Sequence, residues 1–150
     1  ARRAVAATRY APRGVRGFSQ APRAARFGRI PDYHARCEAE IFVAVQIESR
    51  RALDNLEEIA GVEGVDGVFI GPGDLSTSLG YLGQQNHADV VAVVQETIAR
   101  IRGTGKHAGI LTANEELAHR YIAAGTRFTA VGSDMGLLAR TSEALAARFR

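Results

Sequence analysis

From Ile41 to its C-terminus the chain repeats one texture four times: a strand-length apolar run, then a longer stretch with helical apolar spacing. Residues 42–48, 67–70, 107–112 and 127–132 read as strands, and 50–60, 89–102, 115–124 and 134–148 as helices. Leu53, Leu56 and Ile59 share one helical face, and Val90, Val93, Val94, Thr97, Ile98 and Ile101 share another. Ser49 is placed to cap the first of these helices, Gly103 and Gly105 stop the second, and Gly125 ends the third. Residues 71–88 read as a loop. Strand and helix alternating across short connections call for a parallel sheet with right-handed crossovers.

The first forty residues are less regular. Residues 1–8 look helical, 14–18 suit a short strand, 19–28 a loop and 31–39 a short helix. With residues 15–18 counted, the chain offers about five strands, whereas an α/β barrel needs eight and roughly 250 residues. Two architectures remain open: an open sheet with an unpaired first edge, or the C-terminal part of a barrel. One domain over residues 1–150 is the expectation. A start at Ala1 rather than Met fits a processed or truncated piece.

Charge is unevenly spread. Residues 1–40 hold nine arginines against Asp32, Glu38 and Glu40, while residues 41–150 hold ten basic and thirteen acidic side chains. The N-terminal segment has no lysine cluster and no nucleic-acid-binding motif, so its arginines are expected on solvated or subunit-facing surfaces. No apolar run reaches the length of a membrane span and no signal-peptide pattern opens the chain. The single cysteine, Cys37, excludes an internal disulfide framework and a multi-cysteine zinc site, which makes a reducing, cytoplasmic setting the default. Cys37 itself reads as packing.

Two carboxylates stand out. Glu48 closes the strand at 42–48 and Asp74 follows the strand at 67–70, with a helix between the strands. Parallel strands carry their C-terminal ends to one rim, so both carboxylates should arrive there. Beside Gly71-Pro72-Gly73, which lets backbone approach a ligand, they suit a divalent metal. Each also has a plain structural reading: Glu48 as a first-turn helix acid, Asp74 as an N-cap or turn residue. Gln46 reads either as a ligand contact or as a satisfied strand amide, and Leu111 on its own reads as core.

The runs Val45-Gln46-Ile47-Glu48-Ser49-Arg50, Asn55-Leu56-Glu57-Glu58-Ile59 and Gly64-Val65-Asp66-Gly67-Val68-Phe69-Ile70-Gly71-Pro72-Gly73-Asp74-Leu75-Ser76 resemble the HpcH/HpaI family of class II pyruvate aldolases. The segment from Ala4 to Tyr10, Pro12-Arg13-Gly14-Val15-Arg16-Gly17, Arg26-Phe27-Gly28 and Gly109-Ile110-Leu111-Thr112 are similar to it as well. The resemblance implies a (β/α)8 barrel, so that residues 1–150 are expected to form a partial TIM barrel whose N-terminal strands are missing, with Glu48 and Asp74 holding Mg2+, Mn2+ or Co2+ at its mouth. It implies that Gln46 contacts a 2-oxo acid, that the amides of Gly73 and Asp74 grip its carboxylate, and that Leu111 lines the aldehyde side. Gly73 stands where the family usually carries Ala.

The activity so implied is aldol cleavage of a 4-hydroxy-2-oxo acid to pyruvate and an aldehyde, with the metal stabilising the pyruvate enolate. Sugar-acid or aromatic catabolism is the implied setting, and a homo-oligomer, a hexamer in the intact family, the implied assembly. Nucleic acid and membrane are not expected partners. The family's catalytic histidine and arginine belong to strands before Ala1, and none of His34, His87, His107 or His119 matches that base. His87 reads as a turn cap or a solvated side chain. The rival readings are a citrate-lyase-like or malyl-CoA-lyase-like enzyme of the same superfamily, and an inert barrel fragment that only binds metal and acid.

Overall fold

Residues 1–149 are described by the structure, a computed structural model. Four strands, β1 (Ala44–Ile47), β2 (Gly67–Ile70), β3 (His107–Leu111) and β4 (Phe128–Ala130), form one parallel sheet in sequence order. Eight α-helices accompany it among the described residues: α1 (Arg2–Thr8), α2 (Tyr33–Arg36), α3 (Arg50–Asp54), α4 (Leu56–Ala60), α5 (Pro72–Ser78), α6 (Ala88–Gly103), α7 (Glu115–Ala124) and α8 (Asp134–Ala147).

Strand order decides the architecture. Right-handed crossovers between strands laid down in sequence order place every helix on the same face. The outer face, with Ile47, Val68, Ile70, Ala108 and Ile110, packs on Leu53, Leu56, Val90, Val94, Ile98, Ile101 and Tyr121 from α3, α4, α6 and α7. The inner face carries Gln46, Phe69, Leu111 and Phe128, and on it Gln46 stays exposed and Phe128 is 62 % exposed. A purely parallel sheet is normally covered on both faces, so a bare inner face belongs to the arc of a barrel rather than to a doubly wound sheet. Large and small residues alternate across that face. Gly109 sits between Phe69 and Phe128, whose ring centroids are 5.6 Å apart, and a Cβ at 109 would lie 2.7 Å from the Phe69 ring.

Several expected boundaries change. The helix expected over 50–60 breaks at Asn55, whose Nδ2 donates to the Arg51 carbonyl at 2.7 Å and competes with the helical ladder. The loop expected over 71–88 begins as α5, entered through Pro72 at its first position and anchored by fully buried Leu75. Strand β1 starts two residues late, because Val43 N gives its hydrogen bond to Asp66 Oδ2 at 2.7 Å. The fifth strand expected near residues 15–18 is only an isolated bridge between Tyr10 and Arg16, with Val15 and Phe18 exposed. The arc therefore has four strands, not five.

The N-terminal arginines also depart from expectation. Arg16 stacks over the Tyr10 ring at 4.7 Å and donates to Tyr33 Oη at 3.1 Å and Cys37 Sγ at 3.3 Å. Arg9 donates to the Glu38 carbonyl at 3.1 Å, and Arg13 pairs with the Glu38 carboxylate. These three hold the segment ahead of β1 together and are not merely solvated. Cys37 is buried, as its packing role requires.

Candidate functional site

Register places the expected residues on one rim. Ile47 pairs with Ile70 and Ile70 with Ile110, so the next residues, Glu48, Gly71 and Leu111, stand level at the C-terminal ends of β1, β2 and β3. Side chains alternate along a strand, and Ile47, Ile70 and Ile110 are fully buried among the helices. Glu48 and Leu111 therefore point to the inner side, as Gln46 does one pleat below Glu48. Leu111 is 42 % exposed, which corrects its reading as a core residue.

Glu48 is held in place. It precedes Ser49, whose side chain caps α3 by accepting from Ala52 N at 3.2 Å, so Glu48 lies outside the helix and is not a first-turn acid. Gln46 Nε2 donates to Glu48 Oε1 at 2.7 Å. A Cβ built on Gly71 would fall 2.6 Å from Glu48 Oε1 and 2.8 Å from its Cγ. The missing side chain at 71 is thus the space into which the Glu48 carboxylate folds, directly above the turn that carries Asp74. Sequence reasoning gave Gly71 to the close approach of a ligand; its nearer partner is Glu48.

Asp74 sits in the first turn of α5, third after Gly71, which is the residue in the N-cap position. It is exposed and caps nothing, contrary to its structural reading as the N-cap. The N–H groups in a helix's first turn have no intrahelical acceptor, and Pro72 has none to offer, which leaves those of Gly73 and Asp74 free toward the mouth. The turn is braced from behind by Ser76 Oγ and Thr77 Oγ1, which donate to the Gly73 carbonyl at 2.8 and 3.1 Å. Ser78 Oγ accepts from Arg50 N at 3.0 Å and ties α5 to the start of α3, just beyond Glu48.

One neighbour escaped the sequence. Gln85 brings Oε1 to 4.0 Å from where a Cβ on Gly73 would stand, so the loop after α5 folds back over the Gly73–Asp74 turn. Nothing in the local spacing marks Gln85, because its approach depends on the course of that loop. Next to it, His87 accepts from Asp89 N at 3.3 Å to cap α6 and stacks on Tyr81 at 4.4 Å, which agrees with its turn-capping role. The other histidines are elsewhere: His34 bonds the Ser19 carbonyl, His107 opens β3 at the opposite rim, and His119 is exposed on α7.

The donor set fits a divalent cation. Two carboxylates, one of them oriented by an amide and cradled over a glycine, are hard oxygen ligands that leave most of a six-coordinate shell to substrate and water. Among the described residues no group of three or more His, Cys, Asp or Glu is gathered to hold a metal ion.

Comparison with known proteins agrees with the fold. The profile of the family described as HpcH/HpaI aldolase/citrate lyase matches residues 1–141. A pyruvate aldolase of Rhizobium etli is 59% identical over 149 residues, which are 99% of this chain and 59% of that protein. A 4-hydroxy-2-oxo-heptane-1,7-dioate aldolase of Shigella flexneri is 55% identical, over 99% of this chain and 56% of its own length. Among solved structures, an HpcH/HpaI aldolase/citrate lyase family protein of Burkholderia cenocepacia superimposes with a TM-score of 0.88 at 37% identity, over 97% of this chain and 58% of that one. The chain thus spans under three fifths of the length of the relatives it matches.

Proposed function

The chain belongs to the HpcH/HpaI aldolase/citrate lyase family, and on that premise we propose that it forms the metal- and acid-binding part of a class II aldolase. The reaction is cleavage of a 4-hydroxy-2-oxo acid into pyruvate and an aldehyde, or its reverse. The observation that carries the reading is the Glu48 carboxylate, folded over Gly71 and oriented by Gln46 on the same rim as Asp74.

In this reading Glu48 and Asp74 hold a divalent cation, Mg2+, Mn2+ or Co2+, whose Lewis acidity offsets the negative charge that bond cleavage leaves on the pyruvate portion. The amides of Gly73 and Asp74 receive the carboxylate of the 2-oxo acid and fix its direction. Gln46, which presents an amide beside Glu48, keeps that side chain facing inward and borders the acid. Leu111 supplies an apolar wall on the aldehyde side. The 4-hydroxyl must lose its proton to a general base, and no histidine of the described residues stands at this rim free for that task. In this reading the base and a charge-stabilising cation would come from barrel strands N-terminal to this stretch. Those strands would cover the bare inner face and complete a single barrel domain.

A homo-oligomer is the assembly proposed, with small-molecule acids and aldehydes as the only substrates. Among the described residues no helix is long and apolar enough to cross a membrane. The test is pyruvate release from a 4-hydroxy-2-oxo acid, with and without Mn2+, by this chain and by a form extended upstream. Activity in the extended form that disappears in Glu48→Ala and Asp74→Ala supports the reading. No turnover by a folded extended form overturns it.

A further inference from the structure

The opposite rim of the sheet carries the reverse charge. Arg102 at the end of α6, Lys106 and His107 at the start of β3, and Arg127 just before β4 line an open hollow of about 180 Å³ with Gly105, Ala108 and Gly125. This region of the chain is acidic: residues 41–150 contain only ten Lys and Arg against thirteen Asp and Glu. Three of those ten basic side chains nevertheless gather at one small hollow, and none of them makes an ion pair with a described residue. Asp66, whose carbonyl accepts from His107 N at 3.2 Å, turns its carboxylate to Val43 N instead.

The cations are fixed as well as gathered. Arg102 Nη1 donates to the Ala124 carbonyl at 2.9 Å, and Lys106 Nζ donates to the Val65 carbonyl at 2.7 Å. Each bond uses one donor and leaves the rest of the guanidinium or ammonium free. Gly125, at φ 107°, permits the Arg102 contact: a Cβ there would lie 2.7 Å from Arg102 Nε. The His107 ring does not join them: it stacks on Phe42 at 5.9 Å, on the inner face of the sheet that it shares with Phe69 through the strand register. Arg127 is tied through its backbone N to the Ala108 carbonyl at 2.8 Å, while its exposed side chain has no partner among the described residues. Like charges held together without a counter-ion repel one another, and a bound anion removes that repulsion.

We propose that Arg102, Lys106 and Arg127 form a binding site for a small phosphate-class oxyanion, at the end of the sheet opposite the proposed metal-binding rim. Arginine matches the planar array of phosphate oxygens, and lysine adds a point charge. The hollow is smaller than the pockets that take drug-sized ligands, so it suits a phosphate group rather than a large cofactor. The ligand is either free phosphate or the phosphoryl end of a small metabolite.

The test is calorimetric titration of the full chain with inorganic phosphate and, in parallel, with glycerol 3-phosphate, at constant ionic strength set with chloride. Saturable binding is expected for at least one of them, weakened about five-fold or more by Arg127→Ala. Because Arg127 is exposed, that variant should fold, and unchanged Mn2+ binding at the other rim serves as the check. Tighter binding of the ester would identify a metabolite phosphoryl group; equal affinity would identify the free anion. Heats no larger than those of chloride, or an Arg127→Ala variant that binds as well as the parent, would overturn the proposal.

Discussion

The two ends of this sheet are made of the same four strands and do opposite electrostatic work. The C-terminal rim gathers carboxylates and bare backbone amides around Glu48, Gly73 and Asp74; the N-terminal rim gathers Arg102, Lys106 and Arg127. Strand direction alone separates them, because every parallel strand delivers its last residue to one end and its first to the other. The difference teaches how such a fold divides its tasks. The end where loops leave the strands can be tuned residue by residue for chemistry, while the core between the ends only has to hold them in register.

The shared core is therefore where the comparison breaks most completely. Ile110, next to last in β3, is fully buried in the core cluster and pairs with Ile70 of β2 and Thr129 of β4. Ile110→Ala should cost about 2–5 kcal/mol. Both rims should lose ligand binding together, as read by urea unfolding beside the two titrations. An Ile110→Ala variant with parental stability would mean that the sheet is not packed as described.

A narrower effect sharpens the contrast at one rim only. Gly71→Ala would place a Cβ 2.6 Å from Glu48 Oε1, so the carboxylate must move. Displacing an oriented ligand group typically weakens metal binding by about 10–100-fold. Phosphate binding at the far rim should not change.

Smaller still is an acid-dependent term on the helical layer outside the sheet. Arg100 donates from Nε and Nη2 to both oxygens of Glu57 at 2.8 Å and from Nη2 to the Leu53 carbonyl at 2.9 Å. Those bonds hold the Glu57 carboxyl at about 2 instead of the usual 4.5. The folded value is depressed, so the stabilisation is complete above about pH 4.5 and fades as pH falls toward 2. Arg100→Gln should flatten the acid limb of a stability profile between those values. The pair is largely exposed and screened, so the change should be modest.

The smallest expected effect is at Gly73. Space is open there, the nearest atom being Gln85 Oε1 at 4.0 Å, and Gly73 has no left-handed backbone to protect. Gly73→Ala should shift stability and acid binding by no more than about 0.5 kcal/mol. A large loss would show that Gln85 and the turn are packed more closely than this.

The parts of the fold visible in the sequence are those where local pattern and tertiary environment agree. The four βα units, the Ser49 cap and Gly125 in the left-handed conformation follow from periodicity and cap chemistry. Glu48 and Asp74 were legible because strand direction turns sequence position into place on a rim. The role of Gly71 was not, since it depends on how the end of β2 meets a side chain from β1. Helix α5 was hidden by Gly, Pro, Ser and Thr, which read as loop until Leu75 is seen buried. The Arg16 cluster was hidden because its partners Tyr10, Tyr33 and Cys37 lie on separate local elements. A run of arginines says nothing about which of them finds an aromatic ring. The cationic hollow was likewise invisible, because Arg102, Lys106 and Arg127 come from three places that only the crossovers join.

The most direct test of the central claim, that Glu48 and Asp74 hold a divalent cation, is the free Mn2+ signal in electron paramagnetic resonance during titration of the chain. The account expects one saturable site, weakened more than ten-fold in Glu48→Gln and in Asp74→Asn and unchanged in Arg127→Ala. Equal binding by the parent and by both carboxylate variants would place the cation elsewhere and contradict the account.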